Sequence, residues 1–153
     1  MNKIAKLEQE IADLQAQLTN LKSGLPVKGQ KYWSIEGEGD ISSSTYHSDS
    51  IDERYLAFGN VFLTKKEAIK ERDYFQFERG VRRKAKELNG DWVPDWNDSK
   101  QEKFYINVQV VSCLTFPMSP IRGAYFKSYE LAKEALNYFG AEKFINYAKG
   151  LPL

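Results

Sequence analysis

The chain has 153 residues, enough for one ordinary domain with a core and short for two independent ones. Its 22 Lys and Arg nearly balance 21 Asp and Glu, so no global field points to DNA, a membrane surface or an acidic substrate, and any charged site has to be local. The single cysteine, Cys113, excludes an intramolecular disulfide framework, and no apolar run approaches the roughly 20 residues needed to cross a bilayer.

Ile4, Leu7, Ile11, Leu14, Leu18 and Leu21 alternate spacings of three and four, the heptad period that keeps one seam against a partner helix. The seam is strictly two positions in seven, narrower than the stripe of a helix folded back on its own domain, and predicts a homo-oligomer. Ile at two a positions and Leu at every d favour a dimer, with a trimer left open by Leu18 at the third a position. Gly24 and Pro26 end this helix, so 1–24 reads as an oligomerisation helix, 25–30 as a linker and 31–153 as an α+β binding domain.

"KYWSIEGEGDISSS" alternates about Trp33 and Ile35 and reverses at Gly37 and Gly39, which predicts a hairpin. The polar, acidic "STYHSDSIDERY" reads as an exposed loop or an edge strand. Next comes a phrase written twice, "GNVFLTKKEAIKE" at 59–71 and "GAYFKSYELAKEA" at 123–135. Each reads as a short strand about a Phe, an N-cap (Thr64 or Ser128) and a helix; Glu67 completes a capping box in the first. The first helix should run from Lys65 to about Leu88, with Ala68, Phe75, Val81, Ala85 and Leu88 as its apolar face and Gly80 as a weak point. The second should bury Leu131, Ala132, Ala135, Leu136 and Phe139 before Gly140. A long strand around Phe104 to Phe116 would complete one small antiparallel sheet carrying both strand-to-helix repeats, hence an α+β class.

At "YLAFGNVFLTKKEA", "DWVPDWN", "KFYINV" and "AYFKSYELAKEAL", the chain resembles a widespread group of small phage and prophage proteins that pair a heptad leader with this domain. The likeness extends from Tyr32 to Phe144. It implies a phage origin and, by analogy with small phage accessory proteins, binding to a host factor or defence component in the cytoplasm of the infected cell. It brings no catalytic residues.

The residues themselves carry no catalytic signature. His47, the only histidine, stands near Ser44 and Asp49 in a polar segment that yields such letters by chance, and one His with one Cys cannot make a zinc set. Cys113, in an apolar β-branched run, reads as a small core hydrophobe. Asp91, Asp95 and Asp98 lack the glycine and terminal glutamate of a calcium loop. The expected protein is therefore a non-enzymatic binder without cofactor or metal.

Two surfaces compete for the partner. Arg54 and Tyr55, with Asp49, Asp52 and Glu53 nearby, and Trp92 and Trp96 in a loop braced by Pro94, offer Arg and aromatic anchors for a host protein. Arg79, Arg82, Arg83 and Lys86 share one helix face and could instead hold phosphates, of a small nucleotide signal that the protein sequesters or of nucleic acid. Glu78 and Glu87 dilute that face, which also reads simply as a solvated exterior.

Overall fold

The computed structural model describes residues 3–108, 110–114 and 124–153, without the side chains at 16, 17, 20, 21 and 23. The class is α+β. In chain order the described elements are α1 (Lys3–Ser23), β1 (Lys31–Ile35), β2 (Ile41–Thr45), α2 (Ser50–Ala57), α3 (Lys65–Asn89), β3 (Lys103–Asn107), β4 (Val110–Leu114), α4 (Tyr129–Phe139) and α5 (Ala141–Lys149). Their contacts fall into two units, Met1–Arg72 and Asp73–Leu153, with the boundary inside α3.

In the first unit, every described side chain of α1 is exposed. β1 and β2 pair antiparallel, with Trp33 opposite Ser43. The inward positions are Tyr32 and Ser34, both 1% exposed. An isolated bridge adds Phe62 to the outer side of β1: the Trp33 and Phe62 amides each donate to the other's carbonyl, at 2.8 and 2.9 Å. Thr64 and Glu67 then form the reciprocal capping box, with the Glu67 N–H donating to Thr64 Oγ1 at 3.2 Å and the Thr64 N–H to Glu67 Oε2 at 3.0 Å. The helix starts where these two orphan donors are satisfied.

The second unit repeats the plan. β3 and β4 pair antiparallel, Phe126 bridges Phe104 with the same pair of reciprocal amide bonds, and the Ser128 side chain caps α4 by accepting from the Leu131 N–H. The duplicated phrase is thus one part of a longer repeated design of hairpin, one-residue bridge and capped helix. Ala68 and Ala132, four residues after the caps in both copies, are each fully buried.

The cores differ in chemistry. In the second unit Ala85, Phe126, Ala132 and Ala135 pack with Phe104, Ile106, Val111 and Leu131, and beside them Phe77, Val81 and Phe144 gather with Leu136, Phe139 and Tyr147. The first unit buries Pro26, Tyr32, Ser34, Tyr46, Asp52 and Ala68, a set whose Tyr32, Ser34, Tyr46 and Asp52 are held by hydrogen bonds.

Several sequence expectations are corrected. Among the described residues the strands form two separate two-stranded sheets, not one. The apolar run expected as one strand from Phe104 is itself a hairpin that turns at Val108, whose φ of 58° is unusual for a β-branched residue; Phe116 lies outside the described residues. The segment read as a polar loop contains α2, because Asp49 caps it by accepting from the Ile51 and Asp52 amides. In α3 the buried aromatic is Phe77, and Phe75 is half exposed. Phe77 lies four residues before Val81 and shares its face, whereas Phe75 lies six before it, roughly 240° round the helix. Gly80 does not interrupt α3; a Cβ there would meet the Phe139 ring at 3.3 Å, so the glycine makes room for that ring.

Candidate binding surfaces

The first unit holds a network of carboxylates and hydroxyls. The buried Asp52 accepts from the Tyr32 hydroxyl at 2.8 Å and from the His47 N–H at 2.6 Å. Burial alone would raise its pKa, but bonds from His47, Tyr32, Asp49 and Ser48 outweigh this and hold the carboxyl below its ordinary value. Burial first, then the bond to Asp52, pushes the Tyr32 phenol up to about 12. Glu36 accepts from Ser42 at 2.6 Å, Ser34 at 2.9 Å and Tyr55 at 3.3 Å, and the Ser42 and Ser34 bonds depress its pKa. These groups, which link β1, β2 and α2, are consumed by one another.

That placement revises the acidic surface expected here. Asp49 is a helix cap, Asp52 is buried and Glu53 takes the Tyr46 hydroxyl, so these acids hold the fold. Tyr55 is half-buried with its hydroxyl on Glu36, and Arg54 remains exposed on α2. His47 is exposed, and its backbone amide contacts Asp52.

In the second unit the loop between α3 and β3 is built round Lys103, which is 1% exposed. Its ammonium donates to the carbonyls of Asp98 and Gln101 at 3.0 and 2.8 Å and sits 5.4 Å from the Trp96 ring centroid. Trp96 packs edge-on against Tyr125, with centroids 4.9 Å apart. Gln101 returns to the loop by accepting from the Asp95 N–H at 2.7 Å. So Trp96 braces the loop through Lys103 and Tyr125; Trp92 and Trp96 are both half-buried, and Val93 is 73% exposed. Arg54 and Tyr55 lie in the first unit and Trp92 and Trp96 in the second.

The basic stripe of α3 is solvent-facing. Arg79, Arg82, Arg83 and Lys86 are all exposed; Arg82 pairs with Glu78 at 3.1 Å, and the other three have no ion-pair partner among the described residues. On α1, Ile4, Leu7, Ile11, Leu14 and Leu18 are between 50% and 62% exposed; the Leu21 side chain lies outside the described residues. Cys113 is exposed on β4, a correction to its expected core position: on a two-stranded sheet, alternation turns one face outward.

Two residues that spacing did not single out organise the bridges. The Asn60 carboxamide pairs with both backbone groups of Ile35, accepting from its N–H at 2.8 Å and donating to its carbonyl at 2.9 Å, so a side chain extends the Phe62 bridge. In the second copy the corresponding position is Ala124, and Asn89 at the end of α3 clamps the other edge, donating to the Tyr125 carbonyl and accepting from the Lys127 N–H. The Asn of the first phrase was the available signal. Among the described residues no group of three or more His, Cys, Asp or Glu gathers to hold a metal, and no helix is long and apolar enough to cross a membrane. No family model, no curated protein and no solved structure matches the chain.

Proposed function

We propose that this chain is a non-enzymatic, phage-encoded accessory protein that binds a host component in the cytoplasm of the infected cell and inhibits or sequesters it, in the manner of a counter-defence inhibitor. The observation that carries the reading is the Asp91–Asp95 loop. Trp92 and the exposed Val93 are offered on a loop whose following stretch, from Asp95 to Gln101, is fastened by Gln101, Lys103 and Trp96, which limits the ordering cost a partner would meet. Half-buried aromatics on a rigid support make strong anchors. The phage setting rests on the likeness of the repeated phrases, and the exposed α1 seam supports action as a homo-oligomer, a dimer before a trimer.

A second reading is favoured by the unpaired cations of α3. Arg79, Arg83 and Lys86 could hold the phosphates of a small nucleotide signal or of nucleic acid. One experiment separates the two. The partner is recovered by pull-down from infected host extract, with native mass spectrometry for any retained small molecule, and affinities are measured by calorimetry at two salt concentrations. Trp92→Ala should weaken binding by about 2 kcal/mol, while Arg82→Glu with Arg83→Glu changes it little and salt has a weak effect. Loss on the arginine pair with a steep salt dependence would move the assignment to phosphate binding.

A further inference from the structure

We infer that α1 closes on a second copy of this chain as a parallel, in-register two-stranded coiled coil, so that both copies leave it from the same end. This rests on the self-association reading and adds orientation, register and number to it. The occupant follows from the chemistry beside the seam. With Ile4, Ile11 and Leu18 at a and Leu7 and Leu14 at d, Lys3 and Glu10 flank the seam as g positions and Glu8, Gln15 and Lys22 as e positions.

In a parallel pair each g residue meets the e residue five positions later on the other helix. Lys3 then meets Glu8 of the second copy on both sides of the dimer, Glu10 meets Gln15, and no like charges are opposed. The antiparallel register that keeps the seam aligned sets Glu8 against Gln15 and Glu10 against Gln17, and forms no ion pair. Lys3 and Glu8 are exposed and have no ion pair among the described residues of their own chain, so both are available. The other polar groups of the helix look elsewhere: Gln9 bonds Asp13 at 2.9 Å and Thr19 bonds the Gln15 carbonyl, all outside the a and d positions. Ile at two of the three a positions with Leu at d favours two strands in that parallel arrangement, and the trimer that Leu18 leaves open is an outcome of the test.

The test uses the full-length chain carrying Cys113→Ser. Leu7→Cys in that background should cross-link to itself under mild oxidation, and sedimentation should give twice the chain mass. In the antiparallel pair the two positions 7 would stand about 16 Å apart along the axis, too far for a disulfide, and a mixture of Leu7→Cys and Leu18→Cys chains would link only to each other. Lys3→Glu alone and Glu8→Lys alone should each raise the dimer dissociation constant several-fold, and the two together should restore it. Antiparallel cross-links, a trimer mass or failure of the double variant to recover would overturn the parallel dimer and leave self-association standing. A monomeric full-length chain at tens of micromolar, a range set to order of magnitude by the marginal stability of three heptads, would overturn both.

Discussion

At the scale of single residues, three buried or half-buried ionisable groups decide how the local structure responds to pH and substitution. Asp52 and Glu36 titrate below their ordinary values, so the folded state binds fewer protons than the unfolded chain in the acid range. Their contribution is fully present above the unfolded carboxylate pKa values and is lost as pH falls through the depressed folded ones. Tyr32 works in the opposite sense. Its pKa is raised to about 12, so its contribution is full below the ordinary tyrosine value and disappears as pH rises through the folded one. Denaturant titrations across pH should therefore show an acid loss that Asp52→Asn flattens and an alkaline loss that Tyr32→Phe removes; unchanged profiles in either variant would refute the network. Lys103→Met keeps the stem but strands the Asp98 and Gln101 carbonyls, and should cost about 1–3 kcal/mol with altered Trp96 fluorescence.

At the scale of elements, the two helix starts and the two bridges are held by different devices in each copy. Thr64→Ala and Ser128→Ala should each lower stability by about 1 kcal/mol through a lost N-cap, read by thermal and chemical unfolding, without changing partner affinity. In Thr64→Ala the backbone N–H of residue 64 still donates to the Glu67 carboxylate, so the substitution removes only one of the two capping-box bonds. Asn60→Ala removes both bonds to Ile35 at once and should cost about 2 kcal/mol. Were Asn60→Ala neutral, the side-chain extension of the bridge would have no energetic weight. The repeated design also explains which parts of the phrase vary between copies. Phe and Ala persist because one bridges the hairpin and the other allows close helix approach, whereas the Asn is dispensable once a carboxamide from α3 clamps the bridge from the other edge.

At the scale of the whole molecule, coupling between copies should appear in stability as well as in mass. If α1 pairs with a second copy, the melting of the helix rises with chain concentration because association binds the folded helix only. Far-ultraviolet melts over a hundredfold concentration range should show this shift, and Leu7→Glu with Leu14→Glu should abolish it while leaving the cores of the two units, which share no residue with the seam, intact. A concentration-independent melt in the parent chain would count against any assembly through α1. Two copies joined this way would also present two Trp92 loops to one target, so the loss of apparent affinity on breaking the seam would measure avidity separately from the contact itself.

The sequence alone determined what depends on neighbours a few positions apart. The N-terminal helix, the first hairpin, the Thr64 and Ser128 caps and the extents of α3 and α4 were legible because capping needs one side chain three residues from an amide, and a helix face repeats every three to four. Tertiary structure alone decided where distant groups meet. Helix α2 has a local cap in Asp49, but its place in the fold was set only when Asp52 found the Tyr32 hydroxyl, twenty residues away in sequence. Lys103 is an ordinary strand lysine until the loop before it supplies two carbonyls and the Trp96 ring. The division of the expected long strand into β3 and β4 turns on Val108 entering the left-handed region, which a β-branched residue disfavours and which accompanies the β3–β4 pairing. The candidate site divides the same way: Trp92 and Trp96 were legible as a pair, but that Trp96 meets the Lys103 ammonium and the Tyr125 ring was decided by tertiary packing, because those partners come from later segments of the chain.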